Sequence, residues 1–165
     1  PDERLPIFST GMIGQYVHGN EPSHHIVYLY TMSGNPGKTA DKVREILESQ
    51  YRAKPDGLSG NEDVGQMSAW YILSSMGFYN VEPASTKYWF GSPLFDKVSI
   101  VVSKDGKKTF DITTVNNSKE NKYIQKITLD GQVWKKPYIE YNDIVKGGKL
   151  TFYMGAKPIV WYNPE

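Results

Sequence analysis

The sequence predicts an α+β fold, with helices before Pro93 and a small antiparallel β-sheet region after it, and three observations carry that reading. Apolar residues recur at helical spacing up to about residue 77 and alternate with polar residues beyond residue 96. Charge changes sign at the same place: residues 1–95 hold 7 Lys and Arg against 10 Asp and Glu, and residues 96–165 hold 12 against 8. Pro93 stands between the two patterns, so two regions, 1–93 and 94–165, are expected.

In the first region Val43, Ile46, Leu47 and Tyr51 follow helical spacing, with Asp41, Lys42, Arg44, Glu45 and Glu48 on the other faces and Thr39 as the expected cap. A second helix is expected to begin after Asn61 or Asp63, run through Met67, Trp70, Tyr71, Leu73 and Met76, and stop at Gly77. It is apolar or small on nearly every face, which predicts burial on several sides and an exposed apolar surface wherever a neighbour is missing. His24–Met32 reads as strand by its β-branched and aromatic content and as buried helix by its continuity; Ser23 and Gly34 as flanking caps tilt it toward helix.

In the second region Val98, Ile100 and Val102 alternate with polar residues. So do Phe110, Ile112 and Thr114, then Ile127 and Leu129, then Leu150, Phe152 and Met154. Gly106, Asn116-Asn117, Asp130-Gly131 and Gly147-Gly148 punctuate these runs as turns, and Asp130-Gly131 is the strongest hairpin signal.

Composition narrows the function. A formal net charge of +1 with no basic patch provides no field for nucleic acid or an anionic membrane. No run approaches the roughly 20 apolar residues of a membrane span. The absence of cysteine excludes disulfides, thiolate metal sites and cysteine nucleophiles.

Three clusters hold chemistry-bearing residues. His18-Gly19-Asn20-Glu21-Pro22-Ser23-His24-His25 contains all three histidines of the chain. Its plain reading is a polar loop; its sharper reading is a metal or ligand site. Adjacent histidines lack the i, i+4 spacing that puts two imidazoles on one helical face. Oxygen ligation of a hard cation by Asn20 and Glu21 is therefore expected, with His18 and His24 free to bond a polar ligand.

Gly60-Asn61-Glu62-Asp63-Val64-Gly65-Gln66 opens the second helix, where Asn and Asp commonly cap. Glycines on both sides would let backbone approach a ligand, and Gln66 lies close by. A carboxylate at a helix N-terminus is also expected to stay ionised, which suits a base acting on water. The aromatic cluster Trp70, Tyr71, Phe78, Tyr79, Tyr88, Trp89 and Phe90 could stack sugars, but its spacing assigns most of it to the core.

The strings HGNEPSHHIVYLY, GNEDVGQMSAWYILSSMGFYNVEP and YWFGSPLFDKVSI closely resemble the C-terminal part of glycoside hydrolase family 92, calcium-dependent, exo-acting bacterial α-mannosidases. The resemblance spans essentially the whole chain. It implies a parent with an N-terminal β-sandwich and an (α/α)6 catalytic barrel, of which residues 1–93 would be the last helices. It implies inverting hydrolysis of terminal mannose, α-1,2-linked, on N-glycans or mannans, and a periplasmic, cell-surface or secreted location in a bacterium.

By the same resemblance Asp63 is the general base and Glu62 its helper. Asn61 stands where some members have a second aspartate, and would orient water or cap the helix. Asn20 and Glu21 would lie near calcium and the sugar, and His18 at the leaving-group subsite. The general acid falls outside this chain: before Gly19 the one further candidate, Glu3, lacks the family's surrounding aromatics. The expected partners are mannose-containing glycans and the remainder of the parent polypeptide, and the chain alone is expected to be inactive. The competing reading is a non-catalytic carbohydrate-binding or structural module, which would need no buried helix starting with two carboxylates.

Overall fold

The computed structural model describes residues 9–163, and Glu3 lies outside them. A two-stranded hairpin opens it, β1 (Met12–Ile13) and β2 (Tyr16–Val17), with Gly14 turning the chain at φ +60°. His24–Met32 is helical: a 3-10 turn at Ile26–Tyr28 runs into α1 (Leu29–Met32). Val27, Tyr28 and Thr31 face inward while Ile26, Leu29 and Tyr30 face outward, a helical spacing that a strand could not satisfy.

Helix α2 (Pro36–Ser49) begins four residues earlier than expected, with Asn35 rather than Thr39 as its cap. Asn35 caps it by accepting from the Lys38 amide, with Pro36 in the first turn. Thr39 is not the cap but a buried residue one turn in, where its hydroxyl accepts from the amide and the hydroxyl of Thr31 at 2.9 and 2.8 Å. Tyr51 lies beyond the helix, bridged to Leu58, with its ring stacked on Trp70.

Helix α3 (Gln66–Met76) begins after Gly65, later than expected, because Asp63, Val64 and Gly65 all take positive φ and cannot propagate a right-handed helix. It ends, as predicted, at Gly77 with φ +106°. Met67, Trp70, Ser74, Ser75 and Met76 are buried, and Ile72 is half exposed.

Strands β3 (Phe78–Tyr79), β4 (Lys87–Phe90) and β9 (Tyr138–Glu140) form one antiparallel sheet. Strands β5 (Lys97–Val101), β6 (Thr109–Val115), β7 (Tyr123–Leu129), β8 (Gln132–Trp134) and β10 (Gly148–Gly155) form a second, in the order β5-β6-β10-β7-β8. The mostly antiparallel sheet expected there departs from that pattern at one ladder: β10 inserts between β6 and β7, antiparallel to β7 and parallel to β6. After the β7–β8 hairpin the chain crosses to β9, turns through the short helix α4 (Tyr141–Val145) and re-enters at Gly147-Gly148. That return path sets its direction, and alternation along a strand carries no information about it.

One core lies over the five-stranded sheet and contains Phe110, Ile112, Ile127, Leu150 and Phe152 together with Met76, Phe78 and Phe90 from the helical side. Each such side chain contributes roughly 1.5–3 kcal/mol by leaving water. A second core packs Val27, Tyr28, Val43, Ile46, Leu47 and Trp70. Arg44 of α2 is buried and joins the two regions, donating to Ser92 Oγ at 3.0 Å, to the Pro93 carbonyl and to Asn117 Oδ1. Exposed large apolar side chains occur in both halves, including Ile26, Leu29, Met32 and Ile72 in the first and Val101, Val115 and Val133 in the second.

Candidate active site

The two acidic motifs meet through their glycines. A Cβ on Gly60 would fall 2.7 Å from the Gly19 carbonyl oxygen, and one on Gly19 would fall 2.5 Å from the Ser59 carbonyl oxygen. Gly60 also takes φ +107°. Only glycine lets the two backbones lie this close; the sequence reading took Gly60 and Gly65 as room for a ligand, and at Gly60 that room is filled by Gly19. The closeness brings Glu21 and Asp63 into side-chain hydrogen-bond contact.

Two carboxylates in contact cannot both ionise freely. The bond to Glu21 raises Asp63 above the usual aspartate range, while the bond to Asp63 lowers Glu21. The helix-terminus expectation for Asp63 is thereby reversed: it lies three residues before α3, exposed, and its neighbour governs its proton. Asp63 at φ +48° and the fully exposed, β-branched Val64 at φ +57° hold a conformation that costs such residues on the order of 1–3 kcal/mol each.

Glu62 points the other way. Its carboxylate accepts from the Ser68 amide at 3.1 Å and the Ser68 hydroxyl at 2.9 Å, satisfying free donors at the start of α3. Asn61 is exposed beside it.

Beside the carboxyl pair opens a cleft of about 860 Å³ lined by Asn20, Glu21, Pro22, His24, His25, Gln66, Tyr79, Asn80, Val81 and Pro83. His18 is not on its wall. It is fully buried against Trp70, with ring centroids 4.5 Å apart. Its Nδ1 lies 2.8 Å from the Tyr16 hydroxyl and its Nε2 2.6 Å from the Tyr51 hydroxyl. Tyr51 donates its own proton to the Met67 carbonyl, so Nε2–H of His18 donates to Tyr51 and Nδ1 accepts from Tyr16. Burial pushes the His18 pKa down to about 3, and the ring is neutral.

His24 is a largely buried part of the cleft wall, its Nε2 2.9 Å from the His18 carbonyl and its Nδ1 3.0 Å from Gln66 Nε2; burial lowers its pKa too. Gln66 Nε2 also donates to the Tyr79 hydroxyl at 2.9 Å. With all four ring nitrogens of His18 and His24 engaged, the cleft offers a cation the oxygens of Asn20 and Glu21, with Asp63 beside them, and the imidazole of His25; the oxygens are the hard donors that suit calcium. Among the described residues no group of three or more His, Asp or Glu side chains gathers as a complete metal cage.

Sequence reasoning named the acidic pair, His24 and Gln66, but not their contacts. It missed Tyr16 and Tyr51 as partners of His18, and it treated Tyr79 as one aromatic among seven. The polar residues around Tyr79, in particular Gln66 one helix length earlier, were the available signal.

Comparison with known proteins gives these features a context. The sequence profile of the glycosyl hydrolase family 92 catalytic domain matches residues 2–156. A protein of Arthroderma benhamiae described as an uncharacterized secreted glycosidase is 32% identical over 145 residues, 87% of this chain and 19% of that protein. Among solved structures, the family GH92 α-mannosidase BT3965 from Bacteroides thetaiotaomicron, in complex with mannoimidazole, superposes with a TM-score of 0.88 at 40% identity. The match covers 96% of this chain and 20% of that one. The family GH92 inverting mannosidase BT2199 of the same organism superposes at 0.82 with 38% identity, over 92% of this chain and 20% of its own. The chain thus spans about a fifth of the length of the relatives it matches. Its mixed helices and small sheets recur in those structures, and among the described residues no helix is long and apolar enough to cross a membrane. A profile match over nearly the full length, together with this agreement in sequence and backbone, leads to one conclusion: the chain belongs to glycosyl hydrolase family 92.

Proposed function

We propose that this chain is the part of an exo-acting, inverting α-mannosidase that supplies the general base and the floor of the mannose site, acting on α-1,2-linked mannose of N-glycans or mannans. The observation that carries this is the contact of Asp63 with Glu21, which lines the cleft. Asp63 is the base: exposed to water and with its proton affinity raised by Glu21, it is better suited than an ordinary aspartate to take a proton from an attacking water. Glu62 fixes the start of α3 so that Asp63 keeps its place, and Asn61 helps orient the water. His24 and Gln66 form the sugar-facing wall, with His18 behind them.

Asn20 and Glu21 would hold calcium, whose charge would orient and polarise sugar hydroxyls; remaining ligands would come from water or the rest of the parent. The Glu21–Asp63 pair is not the acid–base pair of the reaction. Inversion needs carboxyl groups roughly 6.5–9.5 Å apart with water between them, and hydrogen-bonded carboxyls leave no such space. The general acid therefore belongs to the remainder of the parent, from the same (α/α)6 barrel to which α1–α3 would belong, and this chain alone does not turn over. The name of the fungal relative and the bacterial source of the solved neighbours support a bacterial periplasmic, cell-surface or secreted location.

The test is mannose release from an α-1,2-mannobioside by the full-length protein and its Asp63→Ala variant, with and without a calcium chelator. Loss of base assistance should lower kcat by about 10² to 10⁴ with little change in KM, and chelation should lower activity reversibly. Full activity in Asp63→Ala removes Asp63 from the mechanism.

A further inference from the structure

The cleft wall contains a hydrogen-bond chain whose direction is set at one end. A carbonyl only accepts, so the contact between His24 Nε2 and the His18 carbonyl places the proton of neutral His24 on Nε2. His24 Nδ1 must then accept, and it accepts from Gln66 Nε2. The second hydrogen of that amide points to the Tyr79 oxygen. Tyr79 thus receives a hydrogen bond and keeps its own O–H to donate, and among the described residues nothing accepts it. The amide orientation is dictated by the same chain, and it leaves Gln66 Oε1 without a donor among the described residues.

Tyr79 is well held for such a task. It sits on β3, paired with Trp89, and its ring stacks on Tyr28 at 5.4 Å with planes 29° apart. Tyr28 is fully buried and anchored by its hydroxyl to Ser74 at 2.8 Å. Both Tyr79 and Gln66 line the cleft.

We propose that Tyr79 is a substrate-binding residue that donates its hydroxyl proton to one sugar hydroxyl, with Gln66 Oε1 accepting from that same hydroxyl or its neighbour, and with His24 as the positioning residue that fixes the polarity. A free donor beside a free acceptor matches an alcohol, which does both, and mismatches a carboxylate or phosphate, which only accept. The inference rests on the reading of this cleft as the glycan site and adds to it which groups read the sugar.

The experiment uses the full-length protein, Tyr79→Phe and Gln66→Glu. The substrates are an aryl α-mannoside and its set of monodeoxy analogues. Loss of one neutral hydrogen bond should raise KM about 3- to 10-fold in Tyr79→Phe while kcat changes less than about 2-fold. In Gln66→Glu the carboxylate would capture the Tyr79 proton, and adding Tyr79→Phe to it should cost nothing more. One deoxy analogue, lacking the hydroxyl that Tyr79 reads, should show no further loss in Tyr79→Phe. An unchanged KM, or an equal penalty on every analogue, overturns the inference, the latter because a general packing defect has no preferred hydroxyl. If the wild-type protein hydrolyses no mannoside, the proposed function fails. Tyr79 is then judged by the Kd for free mannose, which should be weaker in Tyr79→Phe and which refutes its role if unchanged.

Discussion

Replacing Gly60 by alanine tests how the site is assembled. The new methyl would lie 2.7 Å from the Gly19 carbonyl oxygen, 2.8 Å from Thr10 Oγ1 and 2.9 Å from Gly19 Cα, whereas ordinary contacts begin at 3.4 Å. Reaching that distance requires the two loops to separate by about 0.7 Å, and two of the three atoms are backbone, so no side-chain rotation relieves the clash. The residue would also have to hold φ +107°, at a cost of about 1–2 kcal/mol. Because Glu21 lies two residues beyond Gly19 and Asp63 three beyond Gly60, the separation falls on the carboxyl pair. Displacements of about 1 Å in a catalytic constellation cost on the order of 10² in rate.

In the full-length protein Gly60→Ala is therefore expected to lower kcat/KM for an α-mannoside by roughly 10- to 100-fold, with a fall in Tm. Gly14→Ala is the control: it has φ +60° but open space around the added methyl, so it should lower stability by a similar backbone term and leave kcat/KM nearly unchanged. Wild-type kinetics in Gly60→Ala, or an equal loss in Gly14→Ala, would refute the claim that glycine-to-glycine contact sets the carboxyl geometry.

Two further outcomes concern stability. Arg44→Met should destabilise by about 3–5 kcal/mol by leaving the Pro93 carbonyl and Asn117 Oδ1 without their buried donor, and Arg44→Lys should recover only part of it because one ammonium cannot span three acceptors; denaturant titration followed by tryptophan fluorescence measures both. His18 refuses a proton until about pH 3 in the folded chain but takes one near 6.5 when unfolded, so between those values the unfolded state binds more protons. Its contribution is full above pH 6.5 and is lost as pH falls, at about 1.4 kcal/mol per pH unit. Tm measured from pH 7 to 4 should fall less steeply in His18→Gln, and an unchanged slope would show that His18 is protonated or exposed.

Much of the scaffold was legible in the order of residues. Helical spacing located α2 and α3, alternation located β5, β6, β7 and β10, and Gly77 and Asp130-Gly131 marked their stops, because these signals depend on neighbours within a few residues. Capping was less legible. Thr39, Asn61 and Asp63 all had capping chemistry, yet Asn35 and Glu62 do the work, since the choice depends on where the preceding chain leaves the helix axis.

What the sequence by itself determined is the pair of motifs, their residue types and the family they resemble; those are chemical identities carried in short words. Only the tertiary structure decided that Gly19 meets Gly60, that Glu21 and Asp63 shift each other's proton affinity, that His18 lies behind the cleft, that among the described residues nothing accepts the Tyr79 hydroxyl proton and that β10 runs parallel to β6. Each of these is a contact between residues separated along the chain, such as His24 with Gln66 or Phe110 with Gly148. Local periodicity cannot encode them. They follow from which backbones pack closely enough to exclude a side chain and from which donor finds the one acceptor left in a buried place.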